Sequence, residues 1–570
     1  MSAAEDAGRS TEPRRRTGGQ VLVDQLLVHG VSTVFCVPGE SYLAATDAMY
    51  DVGDAIRLYV GRHEGGAATM AEAYGKLTGE PGICFVTRGP GATNASIAVH
   101  TAAQDSTPMI LFVGQVSSYH SGREAFQELD YPRVFGGLAK WATQVEDAER
   151  LPEIISRAFA TATSGRPGPV VVALPEDVLS AIVQVADARR YTRIQANPPG
   201  TAMTELGELL AAAQRPLLVV GGGGWDQAAA ELMTQFAQRW DLPAVTSFRR
   251  QDLFDHRSDC YAGTLGPGVG GQLSELVRDA DLLVAVGARL GDMTTGAYSL
   301  VEAPRPRQRL VHVHAGAEEL GRVYQPDLAI NSGSREFVRQ LAALRPPARP
   351  VWSGWREQAR EAYLARSTPQ PTSVDLDLAQ VVAHISQTVP GDTVITNGAG
   401  NYTAWCHRYY RFTEHPTQLG PTSGAMGYGL PAALAAKMVF PERTVIAFAG
   451  DGCLLMTGQE LATAIQYDLR VIVVVVNNNR FGTIRLHQEL RYPGRVIGTE
   501  LRNPDFVAFA ESFGAYAERV MATADFPAAF ARARDAGRAA LIELVTDPDQ
   551  STPDTRLSVV RAAALRRDES

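Results

Sequence analysis

Two apolar, β-branched runs, residues 444–449 and 471–476, each stop abruptly at a polar turn. The first stops at Gly450-Asp451-Gly452 and the second at Asn477-Asn478-Asn479. Runs without polar alternation suit strands buried on both faces, as in a parallel sheet. Residues 458–467 between them read as a helix. The order strand, helix, strand makes a right-handed crossover the default, so both strand ends open on one edge of the sheet. Ligands of open α/β folds bind on that edge. The residues placed there suit a hard cation and a diphosphate. Asp451 offers a carboxylate, Asn478 a side-chain carbonyl, and the backbone near Arg480 a third oxygen. Water and phosphate oxygens would complete an octahedral Mg2+ site. Gly450 and Gly452 let the backbone come close to a diphosphate, and the helix start that follows favours its charge. A tight turn with no metal would equally explain a bare Gly-Asp-Gly.

The chain has 570 residues, too many for one ordinary domain; the prior is roughly three to four. Alternating helical and strand-like pieces give an α/β class with mostly parallel, doubly wound sheets. The expected divisions are a disordered leader at 1–16, a first domain at 17–185, a central domain at 200–345, a linker with one helix at 346–371, a last domain at 372–550 and a tail at 551–570. A net charge of −9 and no basic cluster beyond Arg14-Arg15-Arg16 argue against a nucleic-acid partner. No apolar run reaches the length of a membrane span, and the first residues lack the apolar core of a secretory signal. The five cysteines are scattered without paired spacing, which predicts a reducing cytoplasm.

In the first domain, strands are expected at 33–37, 56–60, 83–87 and 109–114. Arg62-His63-Glu64-Gly65-Gly66-Ala67 opens a small-residue helix after the second of them. Glu64 is flanked by apolar and small residues, so burial and a raised carboxyl pKa are expected. A helix-N-terminal glutamate meeting the helix dipole is the plainer explanation of that residue alone. In the central domain, Gly221-Gly222-Gly223-Gly224 follows a strand but lacks the dinucleotide-binding pattern. His312 and His314 share one face of a strand without a third ligand, which favours a structural role.

The Gly-Asp-Gly…Asn-Asn pair resembles the diphosphate–Mg2+ motif of thiamine diphosphate enzymes, and RHEGGA resembles their catalytic-glutamate motif. VFCVPGE, VTRGPGATN, DSTPMILFVGQV and EAFQELD extend the resemblance to the acetohydroxyacid (acetolactate) synthase group over almost the whole chain. The resemblance implies three domains: pyrimidine-binding, central, and diphosphate-binding. It implies that Glu64 serves the pyrimidine nitrogen and that Asp451, Asn478 and the Arg480 backbone hold Mg2+. It places Pro38 and Gly39 by the thiazolium, Pro90 and Asn94 near the pyrimidine, and Phe126 and Gln127 near the substrate. Gly424 and Met426 fall in the loop that props the cofactor, and Asn401, Gly450, Gly452 and Cys453 fall at the phosphates. The group's central domain carries FAD, with an arginine like Arg289; other relatives carry another nucleotide or none, and the sequence does not favour the flavin here. Small-molecule 2-ketoacids as substrates and a homodimer or homotetramer follow from the same resemblance.

Departures from the group fall on the substrate side. Glu176 stands for a lysine, Met293 for the arginine that grips a second ketoacid, and His487 for a tryptophan. Asn401 and Tyr402 stand for glutamine and histidine at the phosphates. A carboxylate acceptor needs a cation or a fork of donors. The expectation is therefore decarboxylation of pyruvate or a similar acid followed by carboligation. The alternatives are a plain decarboxylase or specialised carboligase, and a catalytically silent homologue that binds the cofactor or a nucleotide.

Overall fold

The computed structural model describes residues 13–348 and 350–568. They divide into two compact units, Met1–Ile194 and Gln195–Ser570. The first holds one six-stranded sheet in the order Arg57–Val60, Thr33–Cys36, Gly82–Val86, Met109–Gln115, Pro169–Pro175, Trp141–Gln144. All its pairings are parallel. Three of its four inner strands, Gly82–Val86, Met109–Gln115 and Pro169–Pro175, are buried at every position, which is why they read as unbroken apolar runs. Val21, Leu22, Ile155 and Phe159 of helices Gly18–Val28 and Leu151–Thr163 join Val34, Ile83, Ile110 and Val170 in one core.

The second unit holds two more parallel six-stranded sheets. One runs Tyr261–Thr264, Ala244–Thr246, Pro216–Val220, Leu282–Val286, Arg309–His314, Leu328–Asn331. The other runs Gln418–Leu419, Val394–Asn397, Val445–Gly450, Ile472–Asn477, Ala540–Val545, Tyr516–Val520. Val445–Gly450 pairs in parallel with Ile472–Asn477, so a crossover joins the two strands.

In each sheet one pair of neighbouring strands sends the chain off in opposite directions, and ligands of such folds bind at such a point. It lies between Thr33–Cys36 and Gly82–Val86 in the first sheet, Pro216–Val220 and Leu282–Val286 in the second, and Val394–Asn397 and Val445–Gly450 in the third. In the second sheet this crevice is closed by glycine against glycine. Gly222 has φ +72°, and a Cβ there would lie 1.9 Å from the carbonyl oxygen of Gly287. Only glycine fits such a position.

Two expectations are corrected at the chain ends. Residues 1–12 of the expected leader lie outside the described residues, but Arg14–Thr17 is a strand paired antiparallel with Ile182–Val185. Arg16 is buried between Asp24 and Asp187, the latter at 2.8 Å. Asp24 and, from far along the chain, Asp187 neutralise it, so Arg16 is not part of a solvated leader. Residues 551–568 are likewise not a free tail. Gln550–Thr552 and Thr555–Arg556 form a hairpin, and Leu557–Asp568 is a helix. Arg561 of that helix binds the fully buried Glu489 of helix Gly482–Arg491. The helix expected inside the 346–371 linker runs Ser353–Ser367. Trp352, its N-cap, and Trp355, within its first turn, donate to the carbonyls of Trp240 and Pro216. Among the described residues no helix is long and apolar enough to cross a membrane.

Candidate active site

The last sheet brings Asp451, Asn478 and Arg480 to one spot. Asp451 begins a single helical turn, Asp451–Leu454, directly after its strand, and is 3% exposed. Asn478 follows the neighbouring strand, and Asn479 turns the chain at φ +54°. The Arg480 amide donates to Asn478 Oδ1 at 3.2 Å. Burial holds the Asp451 carboxyl above its ordinary range, opposed by hydrogen bonds from Asn503 and from the Gly452 and Arg480 amides. None of these groups is a cation, so a buried carboxylate here lacks a compensating charge, and Mg2+ fits that need. Among the described residues no three His, Cys, Asp or Glu side chains gather as a metal cluster. A cation would therefore need amide, backbone and ligand oxygens to complete its shell.

Asn503 was not visible from sequence. Its Nδ2 donates to Asp451 Oδ2 at 2.8 Å and approaches Asn477 Oδ1 and Asn479 Oδ1 at 3.1 Å each. Cys453 ties the neighbouring loops. Its Sγ accepts from the Gly427 amide at 3.2 Å and lies 3.4 Å from the Tyr402 hydroxyl, which accepts from the Gly398 amide at 3.0 Å. Met426 precedes Gly427 and packs, half-buried, against the core of this domain. Gly424 and Gly427 both have positive φ, +74° and +77°, which shapes that loop. Asn401 donates to Ser551 Oγ at 2.7 Å and accepts from Thr483 Oγ1 at 2.9 Å. Gly450 and Gly452 have a packing reason of their own. Added Cβ atoms would meet the rings of Tyr402 at 3.1 Å and Phe481 at 2.6 Å.

In the first unit, Glu64 starts helix Glu64–Thr78, whose N-cap is His63. It is half-buried rather than buried, because its helix begins at the sheet edge. Asn94 Nδ2 donates to Glu64 Oε2 at 2.9 Å. The Gly89 amide donates to the carbonyl of Gln127, which sits at φ +64°, at 2.9 Å. A Cβ on Gly39 would lie 2.5 Å from Thr87 Cβ. Pro38 and Pro90 are exposed, and Phe126 is 73% exposed. Arg88, also unforeseen, explains Glu176: its buried guanidinium is held by Glu176 on one side and by Glu40 at 3.0 Å on the other. The only advance sign was a lone arginine in an apolar-to-glycine turn.

The central-domain histidines have local partners. His312 Nε2 bonds the Ala288 carbonyl at 2.8 Å, and His314 Nδ1 accepts from the Gly316 amide at 3.0 Å. Arg289 is half-buried at the crevice of that sheet. Met293 is 42% exposed, and His487 is exposed on its helix.

Comparison with known proteins follows this geometry. Thiamine pyrophosphate enzyme family profiles match three stretches: the N-terminal TPP binding domain at 16–134, the central domain at 203–341 and the C-terminal TPP binding domain at 398–544. The chain is similar to the mitochondrial acetolactate synthase of Schizosaccharomyces pombe, 33% identical over 534 residues, covering 89% of this chain and 79% of that one. It is 33% identical over 517 residues to the acetolactate synthase large subunit of Parasynechococcus marenigrum, covering 88% and 83%. With the acetolactate synthase isozyme 2 large subunit of Escherichia coli K12 it shares 32% identity over 506 residues, covering 88% and 90%.

Proposed function

The chain belongs to the thiamine pyrophosphate enzymes and is acetolactate synthase-like, and we propose that it decarboxylates a 2-ketoacid and joins the remaining fragment to an acceptor carbonyl, using thiamine diphosphate and Mg2+. Pyruvate is the first candidate donor. The observation that carries the reading is the placing of Asp451 and Asn478 directly after the ends of adjacent parallel strands, with the Arg480 amide bound to the Asn478 side chain. Thiamine diphosphate, when bound, supplies the carbon nucleophile and the electron sink. The chain's own residues do the rest. Glu64 holds and moves a proton at the pyrimidine nitrogen, and Asn94 orients its carboxylate. Asp451, the Asn478 side chain and the Arg480 carbonyl hold Mg2+ and, through it, the diphosphate. Met426 supports the cofactor from a loop fixed by Cys453. Gln127, held at its strained backbone angle, and His487 line the acceptor side.

Two positions bear on the acceptor. Arg88 is already engaged by Glu40 and Glu176, and position 293 is methionine. This favours a neutral or cationic acceptor, or release of the aldehyde, over a second ketoacid. Two or four copies assemble in the cytoplasm in this reading.

The test is CO2 release and product identification from pyruvate with thiamine diphosphate and Mg2+, beside Glu64→Ala. A hydroxyketoacid or other acyloin that disappears in Glu64→Ala is the expected result. CO2 with aldehyde alone would turn the proposal to a decarboxylase. No CO2 from pyruvate would rule that acid out as donor, and no CO2 from a panel of 2-ketoacids would overturn the reaction.

A further inference from the structure

We propose that Asn503 is the positioning residue for the cation site, and that Glu543, on the far side of the sheet edge, sets which way its amide faces. The inference rests on the reading of Asp451 and Asn478 as metal ligands.

The amide orientations follow from acceptor bookkeeping. Glu543 is 2% exposed, and its two oxygens are both used. Oε1 takes Asn477 Nδ2 at 2.8 Å, and Oε2 takes Arg519 Nε at 2.7 Å. An ionised carboxylate only accepts, so Asn477 must turn its NH2 toward it. The Asn477 oxygen is thereby turned the other way. There it accepts from the Asn479 amide at 3.0 Å and from Asn503 Nδ2 at 3.1 Å. Asn503 must then present its NH2 to this side, and Asp451 Oδ2 receives it at 2.8 Å. The carboxylate that would hold the cation is thus fixed through two amides from a buried glutamate.

The arrangement has a cost that a mere filler would avoid. Three oxygens share the two hydrogens of one NH2, while Asn503 Oδ1 is buried with no hydrogen-bond partner. An unfilled buried acceptor is destabilising. The opposite amide orientation would set Asn503 Oδ1 against Asp451 Oδ2, oxygen to oxygen. The segment is also anchored independently. Asp505 caps helix Phe506–Ser512 and pairs with Arg519 at 2.9 Å, the same arginine that grips Glu543. The loop therefore closes on itself: Asp505, Arg519, Glu543, Asn477, Asn503.

The test is Mn2+ binding to the full-length protein in excess thiamine diphosphate, read by the electron paramagnetic resonance signal of free Mn2+. The variants are Asn503→Ala, Asn503→Ser, Glu543→Gln and the control Asp451→Ala. Loss of an outer-shell partner weakens metal binding by about 10–100-fold. That loss is expected for Asn503→Ala, with unchanged melting temperature in the absence of metal and diphosphate. Asn503→Ser keeps one donor and recovers part of it. Glu543→Gln weakens Mn2+ in the same direction, because a glutamine can present its own N–H and release Asn477. Equal Mn2+ affinity in wild type, Asn503→Ala and Glu543→Gln, with Asp451→Ala inactive in binding, overturns the inference alone. No Mn2+ binding by the wild type overturns the metal site itself and the inference with it. If Asn503→Ala does not fold, Asn503→Ser and Glu543→Gln decide by the same readout.

Discussion

Cys453 joins three turns of the last sheet's edge. Its sulfur lies at the meeting of three turns, accepting from the Gly427 amide and facing the Tyr402 hydroxyl that in turn holds Gly398. Tyr402 is buried, and burial pushes its phenol far up, so it stays a neutral donor at any working pH. Removing the acceptor would leave Gly427 N–H and Tyr402 O–H buried and unpaired, at about 1–3 kcal/mol. Cys453→Ala is therefore expected to lower the melting temperature and to weaken thiamine diphosphate binding, since the Met426 loop loses its anchor. Cys453→Ser, which keeps an acceptor, should stay close to wild type in both. Calorimetric titration and thermal melts would check this, and identical behaviour of the two variants would refute the anchoring role. Which residues were foreseeable follows from where their partners lie. Glu64, Asp451 and Asn478 stand at strand ends within short motifs, so their neighbours in sequence reveal them. Asn503 meets Asp451 across 52 residues, and Arg88 meets Glu176 across 88. No local pattern marks such pairs.

Strands and helices were legible where an unbroken apolar run or a small-residue helix ended at a glycine or asparagine turn. The elements that escaped are those made by long-range charge. Arg14–Thr17 pairs with Ile182–Val185 because Asp24 and Asp187 receive Arg16. The C-terminal helix Leu557–Asp568 docks because Arg561 finds Glu489, which the Arg485 guanidinium and the Gly494 amide also hold. These donors, Arg561 foremost, bring the Glu489 carboxyl down to about 2. A carboxyl with a lowered folded pKa contributes stability that is complete above its unfolded value near 4.3 and fades as pH falls toward about 2. Arg561 is 41% exposed, so solvent screens its share to about 1 kcal/mol. Arg561→Ala should therefore detach the helix locally without unfolding the domain. Hydrogen exchange of residues 557–568 at neutral pH is expected to quicken several-fold, and in wild type the same quickening should appear only below about pH 4. Unchanged exchange in Arg561→Ala would mean that apolar packing alone docks the helix.

At the scale of the whole chain, the parallel α/β class was readable because most inner strands, such as Gly82–Val86, Met109–Gln115 and Ile472–Asn477, are long apolar runs buried at every position. Strand order was not, since it depends on which neighbour each strand finds. The same deep burial gives the molecule a weakness in acid. His29 lies against Phe159 in the first unit, with ring centroids 4.6 Å apart, and burial lowers its pKa to about 4, helped by Arg190. In the second unit His256 stacks on Tyr261 at 3.9 Å and His407 faces Phe248, and burial lowers both to about 3. For a base with a lowered folded pKa, both states are neutral well above 6.5 and the group has no effect. Below that value the unfolded chain takes up a proton that the folded chain refuses. Stability therefore falls from about pH 6.5 down toward about 3 to 4, by about 1.4 kcal/mol per pH unit for each histidine. His407 isolates the effect, because its Nε2 has no hydrogen-bond partner to lose. His407→Gln cannot charge, so denaturant unfolding of the cofactor-free protein between pH 6.5 and 4.5 should show a slope shallower by close to one proton. Its stability at pH 7 is free to differ in either direction, since the slope alone carries the claim. Parallel slopes for wild type and His407→Gln would mean that His407 already accepts its proton inside the fold, and that the acid sensitivity arises elsewhere.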